Sequence, residues 1–358
     1  MRAVNALSND LKQIRLSTLS LWEEMRGERL FLTGGTGFFG TWLVESFCDA
    51  NKELGLGARV TVLSRDPNKF AAKAPHLSGD SAVTMLRGDV RDFAFPEGEF
   101  RFVIHAATEA SLKQSQEQPL EMLATILEGT KRTLEFAARC GTRKFLLTSS
   151  GAVYGKQPTE ITHLPESYAG GPDPLDPASV YAEGKRASEL MCALYQQAAA
   201  ARGAMFEAKI ARCWAFCGPH LPLDAHFAVG NFIGDVLAGR AISISGDGTP
   251  RRSYLYASDL MVWLWTMLFR APALVPINVG SARDVSIREL AQLVAETLAP
   301  GTEVRVAKHA VPGAAPSRYV PDVTRAEKAL GLRETVGLAE QIRRTAAWHA
   351  AQMGAQHV

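Results

Sequence analysis

The 358-residue sequence contains few cysteines, no long hydrophobic run and no excess of charge of either sign. The five cysteines are scattered without a C-x-x-C pair or a nearby histidine cluster, so we expect reduced thiols and no metal site. A formal net charge of +2, without a basic stripe, does not indicate a nucleic-acid partner. The longest apolar run, residues 260–269, is too short to span a bilayer, so we expect a buried helix there and no membrane partner.

The segment TGGTGFFG, residues 33–40, is the most informative motif that the sequence does contain. It follows a short apolar run at 29–32 and precedes a helical pattern, and this strand, turn and helix context favours a dinucleotide-binding loop. Gly34 would permit the tight turn, Gly37 would let the backbone approach a pyrophosphate, and Gly40 would let the helix pack on the strand. The free N–H groups of the helix N-terminus would then bind the pyrophosphate.

Short apolar runs alternate with helical patterns after the glycine loop, which is typical of an α/β fold. Because several runs are apolar at successive residues, they predict parallel strands that are buried on both faces of a sheet. The predicted strands are residues 59–64, 83–88, 102–107 and 144–150, and the clearest helices are 120–140 and 181–202. The sequence therefore predicts a Rossmann-type doubly wound parallel sheet.

The composition divides the chain into three predicted regions. Residues 1–28 have the apolar spacing of an amphipathic helix and lack the apolar segment of a secretory signal, so we expect a helical extension on a cytoplasmic protein. Residues 29–211 form the predicted NAD(P)-binding domain. Residues 212–358 begin with a segment that is richer in proline and glycine. This region predicts a smaller mixed α/β substrate lobe, with some segments returning to the large sheet. Within this lobe we expect a capping box at 286–289 and a helix N-cap at Asp322.

Tyr181 and Lys185 are four residues apart in a predicted helix, so their side chains lie on one face. A free tyrosine is too weak an acid to exchange protons at neutral pH, and we expect the lysine to lower the pKa of the phenol. Ser150 ends a predicted strand, at the sheet edge where such folds bind ligands, and can hydrogen-bond a substrate oxygen. On these residues alone, a solvated helix pair and a turn-capping role for Ser149 and Ser150 remain open.

Eight motifs occur in a fixed order between residue 29 and about residue 332. They are TGGTGFFG, RGDVRDF, HAAT, TSSGAVYG, YAEGK, RCWAFCGP, GDGTPRRSYLYASD and PSRYVPDVTRAEKALG. Together they resemble the extended short-chain dehydrogenase/reductase family, in its nucleotide-sugar epimerase/dehydratase branch. The resemblance implies a nicotinamide dinucleotide cofactor, a nucleotide-sugar substrate and a homodimer formed through helices 120–140 and 181–202.

The resemblance also implies roles for particular residues. The implied catalytic set is Ser150, Tyr181 and Lys185, and Ser150 also contacts the substrate. Arg252 and Arg318 match positions that bind the sugar-nucleotide phosphates, which suits the planar fork of a guanidinium group. The implied cofactor-binding residues are Gly34, Thr36, Gly37, Phe38, Phe39, Gly40, Asp89, Val90, Ala106, Ala107, Thr108, Tyr181 and Lys185.

The sequence departs from the family pattern next to the predicted catalytic serine. Gly151 and Ala152 stand where dehydratases of this branch carry Asp and Glu, and the related decarboxylases also use a glutamate at the second place. Neither residue can move a proton, and nothing in the sequence places Glu109 as a substitute, so dehydration and decarboxylation are disfavoured. Ala215 and Ile126 replace asparagines of the family, which predicts a less polar pocket.

The cofactor preference depends on the end of the second predicted strand. NAD-preferring members of the family place an aspartate there to bind the ribose hydroxyls. This chain has Ser64, Arg65 and Asp66, and Arg65 could instead bind the ribose phosphate of NADP. The sequence therefore predicts NAD or NADP, with Arg65 favouring NADP, although epimerases that recycle their cofactor generally use NAD.

Taken together, the motifs favour 4-epimerisation of a nucleotide-activated sugar through a transient keto intermediate. The alternative is an NADP-dependent reductase of a nucleotide keto-sugar. A cofactor-sensing protein without catalysis is less favoured, because Ser150, Tyr181 and Lys185 are all present.

Overall fold

The computed structural model describes residues 2–107, 112–225 and 227–355. The strands of the described residues are β1 (Arg29–Thr33), β2 (Arg59–Ser64), β3 (Val83–Arg87), β4 (Phe102–His105), β5 (Lys144–Ser150), β6 (Glu207–Cys213), β7 (Phe216–Cys217), β8 (Ile242–Ile244), β9 (Arg251–Ser253), β10 (Leu255–Tyr256), β11 (Ile277–Val279), β12 (Asp284–Ser286), β13 (Val304–Val306) and β14 (Arg318–Tyr319). The helices are α1 (Arg2–Ser17), α2 (Phe38–Glu53), α3 (Pro67–Lys73), α4 (Pro75–Ser78), α5 (Leu112–Glu117), α6 (Pro119–Arg139), α7 (Val180–Ala201), α8 (Ala228–Leu237), α9 (Ala257–Arg270), α10 (Ile287–Leu298), α11 (Thr324–Leu330) and α12 (Leu338–Ala355). Short 3-10 helices cover Leu19–Met25, Gly151–Tyr154 and Pro177–Ser179.

A seven-stranded sheet in the order β11-β6-β5-β4-β1-β2-β3 forms the centre of the molecule. Every neighbouring pair in it is parallel. Successive residues of β1 serve opposite faces, since Leu30 and Leu32 pack in one core with α2 and α9, whereas Phe31 packs in the other with α6 and α7. The predicted doubly wound parallel sheet is confirmed.

The sheet is not assembled from one continuous stretch of chain. β6 ends at Cys213, and β11 comes from residues 277–279, so the later part of the chain supplies an edge strand of the large sheet. The remaining short strands form small sheets, of which β12-β9-β14 contains one antiparallel and one parallel pair. These strands pack with α8, α10 and α12 around a separate apolar cluster, which gives the smaller mixed α/β region that the sequence predicts.

Helix α1 and the following 3-10 helix pack their apolar side chains into the main body, as their spacing predicts. Leu11, Ile14 and Trp22 belong to the core that contains α2 and α9. Asp10, also buried, accepts hydrogen bonds from the Tyr256 hydroxyl (2.7 Å) and from Arg344 of α12 (2.6 Å). The first helix is therefore tied to the last one.

Helix α9 contains the longest apolar run and is buried along almost all its length, as predicted. Among the described residues, none of the helices combines the length and the hydropathy that crossing a bilayer requires. The five cysteines are all free thiols, and four of them are buried.

Two predicted helix starts have different outcomes. The capping box at the start of α10 is confirmed, because Ser286 and Glu289 each accept from the other's backbone N–H. The N-cap prediction at Asp322 is wrong by one residue, since α11 begins at Thr324 and Val323 occupies the cap position. The Asp322 carboxylate instead accepts from the Thr324 N–H (2.8 Å). It therefore satisfies a backbone donor of the first helical turn although it lies one residue before the cap position.

Candidate active site

The carboxyl ends of the central strands open into a cleft of about 900 Å³. The predicted site residues that line this cleft are Gly34, Thr36, Gly37, Phe38, Phe39, Arg65, Asp89, Val90, Ala106, Ala107, Ser150, Tyr181, Lys185 and Arg252. Gly40 and Arg318 do not line it. Thr108 and Glu109 lie outside the described residues.

The glycine loop joins β1 to α2 at the floor of one end of the cleft. Gly34 has φ +72°, and a Cβ there would lie 2.5 Å from the backbone of Ala106, so both the turn and the close approach require glycine. A Cβ at Gly40 would lie 2.2 Å from the Gly34 carbonyl oxygen, so this glycine lets α2 pack on the loop.

Gly37 differs from the other two glycines, since it faces open space. A Cβ at this position would meet only the Gly34 carbonyl oxygen at 3.7 Å, and Gly37 itself lines the cleft. It is also the N-cap of α2, and no side chain caps the first turn of that helix. The loop thus has open space beside the Gly37 backbone and N–H donors at the start of α2. Both features fit the pyrophosphate of a dinucleotide.

The end of β2 carries no carboxylate that is directed at the cleft. The Asp66 side chain caps α3 by accepting from the Lys69 N–H (3.1 Å), and Ser64 accepts from the Asp66 N–H (3.2 Å). Arg65 and Ser64 line the cleft at this point, and Asp66 does not. This end of the cleft therefore presents a hydroxyl and a guanidinium group where a ribose would lie.

Asp89 borders the same end of the cleft and is held in place by an ion pair. Arg91 donates to it (2.8 Å) and also to Glu121 (2.5 Å). The hydrogen bonds from Arg91 lower the pKa of the Asp89 carboxyl, so this residue stays ionised at neutral pH.

Tyr181 and Lys185 stand on successive turns of α7, at the opposite end of the cleft from Arg65. The preceding 3-10 turn is capped by Asp176, which accepts from the Ala178 N–H (2.9 Å) and fixes where the helix begins. The Lys185 ammonium is buried and donates to the Thr148 carbonyl at the end of β5 (2.8 Å). The helix and the strand end are thereby locked together beneath the cleft.

The expected effect of Lys185 on Tyr181 is wrong for this structure. Burial raises the pKa of Tyr181 to about 12, and a hydrogen bond with Ser150 opposes only part of that rise. Lys185 lies with its nitrogen 6.0 Å from the centre of the Tyr181 ring, and burial lowers its own pKa to about 8. Desolvation is the largest cause of both shifts, because both groups are removed from water together.

The two serines at the end of β5 have separate environments. Ser149 donates to Glu189 (2.5 Å), which is held in turn by Arg212 (2.6 Å), so its hydroxyl belongs to an ion-paired network of α7 and β6. Ser150 caps the 3-10 turn through the Ala152 N–H (3.1 Å) and also interacts with Tyr181. The turn-capping role and the position beside the phenol occur together at Ser150.

Tyr319 and Trp214 complete this end of the cleft, and sequence reasoning did not identify either of them. Their ring centres are 4.4 Å apart, and both residues line the cleft. The Trp214 indole donates to the Asn278 side chain (3.2 Å), which anchors it to β11. The sequence feature that could have identified them is their place in two family motifs, Trp214 in RCWAFCGP and Tyr319 in PSRYVPD.

No proton-exchanging side chain stands at the two positions after Ser150. Gly151 and Ala152 begin the 3-10 turn, and Ala152 lines the cleft. Asp89, at the other end, is the one acidic residue among the described residues that line the cleft. Ala215 lines the cleft, whereas Ile126 is buried against Gly184 of α7 and contributes no surface to it.

The two predicted phosphate-binding arginines are placed differently. Arg252 lines the cleft, with its guanidinium carbon 6.0 Å from the centre of the Tyr319 ring. Arg318 donates to Asp284 (3.0 Å), which also pairs with Arg251, so its side chain serves the small β12-β9-β14 sheet.

Comparisons with known proteins give related sequences and structures of similar fold. UDP-glucuronic acid decarboxylase 1 of Arabidopsis thaliana is 31% identical over 316 residues, covering 88% of this chain and 68% of the relative. The structure of dTDP-glucose 4,6-dehydratase from Streptomyces venezuelae with NAD bound has a TM-score of 0.76 at 25% identity, covering 91% of this chain and 98% of that one. UDP-N-acetylglucosamine 4-epimerase of Methanobrevibacter ruminantium has a TM-score of 0.77 at 21% identity, covering 92% and 100%.

The model of the NAD dependent epimerase/dehydratase family matches residues 30–280, which include the glycine loop, Ser150, Tyr181 and Lys185. The chain therefore belongs to the NAD-dependent epimerase/dehydratase family, as an enzyme of the extended short-chain dehydrogenase/reductase type.

Proposed function

We propose that this enzyme oxidises and then reduces C4 of a nucleotide-activated sugar, and that its net reaction is 4-epimerisation. The observation that carries the proposal is the set of groups at the Tyr181 end of the cleft. It contains the hydroxyls of Ser150, Tyr181 and Tyr319 and the amine of Lys185, whereas Asp89, the one carboxylate among the described lining residues, lies at the other end. Such a set can exchange a hydroxyl proton but offers no acid and base pair for eliminating water.

The glycine loop, with Gly34 and Gly37, would hold the cofactor pyrophosphate, and Lys185 and Tyr181 would border its nicotinamide end. An oxidised nicotinamide in this cleft supplies the hydride acceptor for the sugar carbon. Tyr181 accepts the proton of the C4 hydroxyl, and Ser150 donates a hydrogen bond to the oxygen as its charge changes. Because burial raises the pKa of Tyr181 to about 12 with Lys185 already in place, the phenolate requires further positive charge, which the oxidised ring would supply.

Product analysis in deuterium oxide tests this proposal. Purified enzyme with cofactor would be incubated with UDP-glucose, dTDP-glucose, UDP-N-acetylglucosamine and UDP-glucuronic acid. Epimerisation predicts the 4-epimer of one of them, no deuterium on the sugar carbons and no net change in reduced-nicotinamide absorbance. A stoichiometric absorbance change with a 4-keto sugar would instead indicate the reductase.

Decarboxylation of a uronic acid is a second candidate, favoured by the Arabidopsis relative and by one feature of the site. Arg252 stands close to Tyr319, at the sugar end of the cleft, where a guanidinium group can pair with a substrate carboxylate. Oxidation at C4 would make a β-keto acid, which loses carbon dioxide and takes a proton at C5. If the enzyme releases carbon dioxide from UDP-glucuronic acid and the product carries one deuterium at C5 in deuterium oxide, the net reaction is decarboxylation and not epimerisation.

We also propose that the preferred cofactor is NADP. Arg65 lines the cleft at the end of β2, and the neighbouring Asp66 carboxylate is engaged in capping α3, so a cationic group faces the ribose. Arg65→Ala should weaken NADP binding by about tenfold or more and change NAD binding little. Lys69→Ala, on α3 outside the cleft, is the matched control, and tighter binding of NAD than of NADP by the wild type would refute the preference.

We further propose that two copies of the chain associate through α6 and α7. These helices pack on each other and expose the large apolar side chains of Leu120 (82%), Leu190 (61%) and Leu194 (53%), which a second copy would cover. Sedimentation should show a dimer that Leu190→Asp with Leu194→Asp converts to a monomer, whereas Leu16→Asp on α1 should leave it intact. A monomeric wild type would refute this assembly.

A further inference from the structure

Tyr319 occupies a fixed place at the sugar end of the cleft, although its strand is only two residues long. β14 pairs in parallel with β9, and the register sets Tyr319 opposite Arg252. The phenol ring packs against Trp214, whose indole is itself anchored to Asn278. The ring is therefore held from two sides, and its hydroxyl is directed by packing.

The hydroxyl of Tyr319 fills space that a side chain at position 151 would otherwise use. A Cβ built on Gly151 would lie 2.8 Å from the Tyr319 oxygen and 2.7 Å from the Trp214 ring. In dehydratases of the family, by the resemblance described above, this position carries an aspartate. In this chain position 151 carries no side chain, and a phenol from a distant strand lies beside it.

Ser150 lies between two phenols. Its hydroxyl lies near enough to both phenols to lower the pKa of each in part, and the charge of Tyr181 opposes ionisation of Tyr319. Burial is the main cause that raises the pKa of Tyr319 above its ordinary value. Because Tyr181 and Tyr319 cannot both ionise at low cost, one can be the base while the other remains a donor.

We propose that Tyr319 is a further catalytic residue, a neutral hydrogen-bond donor that acts with Ser150 on the substrate oxygen deprotonated by Tyr181. The inference rests on the proposed oxidation at C4. In that step the O–H bond of the C4 hydroxyl breaks and its proton forms a new O–H bond on the Tyr181 phenolate. The electron pair left on the oxygen becomes the carbonyl π bond as hydride departs to the nicotinamide. Tyr319 gains and loses no proton, and stabilises the oxygen charge while it is greatest.

The test compares Tyr319→Phe with wild type and with Tyr195→Phe, which removes a phenol from α7 outside the cleft. Phenylalanine keeps the ring on Trp214, so the variant isolates the hydroxyl. We expect kcat to fall about 10²-fold with KM changed by less than about threefold, in line with the loss of one donor to an oxyanion. The rising limb of the kcat pH profile should move to higher pH, because the Tyr181 phenolate loses support relayed through Ser150. Tyr195→Phe should match the wild type in both respects.

The outcomes separate this inference from the proposed function. If the wild type turns over a nucleotide sugar and Tyr319→Phe keeps its kcat and pH profile, Tyr319 has no catalytic role. A rise in KM alone would make it a substrate-packing residue and also overturn the inference. If Tyr319→Leu is impaired but Tyr319→Phe is not, the ring matters and the hydroxyl does not. Lack of turnover by the wild type with every sugar would overturn the proposed function and this inference together.

Discussion

Two alanine substitutions in the glycine loop should fail for different reasons, and the structure gives the size of each effect. At Gly40 a Cβ would lie 2.2 Å from the Gly34 oxygen and 2.2 Å from the Gly35 Cα, an overlap with backbone that no side-chain rotation relieves. Overpacking of this kind costs about 3 kcal/mol at the upper end of its usual range, which for a chain of 358 residues corresponds to a fall of about 4 °C in Tm. At Gly37 the new methyl group would meet only an atom 3.7 Å away.

Gly37→Ala should therefore fold normally but lose cofactor affinity. Its backbone (φ −82°, ψ −172°) is accessible to alanine, so the free energy of unfolding should change by less than about 1 kcal/mol. The methyl group would occupy the space above the loop that a pyrophosphate needs, and we expect Kd for the cofactor to rise at least about tenfold.

Thermal unfolding without cofactor and titration with cofactor would measure the two effects in the same samples. Gly246→Ala is the control, because a Cβ there meets nothing within 4 Å and its φ is not left-handed. Gly40→Ala with the Tm of the control would refute the packing argument. Gly37→Ala with wild-type cofactor affinity would refute the placement of the pyrophosphate.

Three further predictions concern other parts of the molecule. Tyr181→Phe should lower kcat by about 10³-fold while cofactor binding, followed by calorimetry, is unchanged; retained turnover would exclude it as the base. Ser286→Ala removes half of the capping box of α10 and should cost about 1 kcal/mol in urea unfolding, unlike Ser78→Ala. Glu45 raises the pKa of His76 through a hydrogen bond. The pair should therefore stabilise the fold fully below the pKa of an unfolded histidine, and this stabilisation should be lost as the pH rises through the higher pKa of the folded state. Thermal melts across that pH range should show this dependence in the wild type and not in His76→Gln.

Local patterns were sufficient for much of the fold and for the glycine loop that lines the cleft. The glycine loop is continuous in sequence, and the buried strands are apolar at successive residues, so Gly34, Gly37 and the parallel sheet could all be predicted. Tyr319 could not, because β14 is only two residues long and its position is set by pairing with a strand more than sixty residues earlier. The raised pKa of Tyr181 was missed for a related reason, since spacing along a helix reports which charges are near but not how much water the fold removes.

Trp214 also gives the protein a built-in optical probe. The other five of its six tryptophans are at positions 22, 42, 263, 265 and 348, and none of these borders the cleft, whereas Trp214 forms part of its wall. Reduced nicotinamide absorbs where indole emits, so cofactor binding should quench Trp214 emission and sensitise nicotinamide fluorescence. A Trp214→Phe variant would lose the share of that energy transfer that comes from Trp214 while keeping the emission of the five others, so formation of the reduced cofactor at the site could be followed in real time without a label.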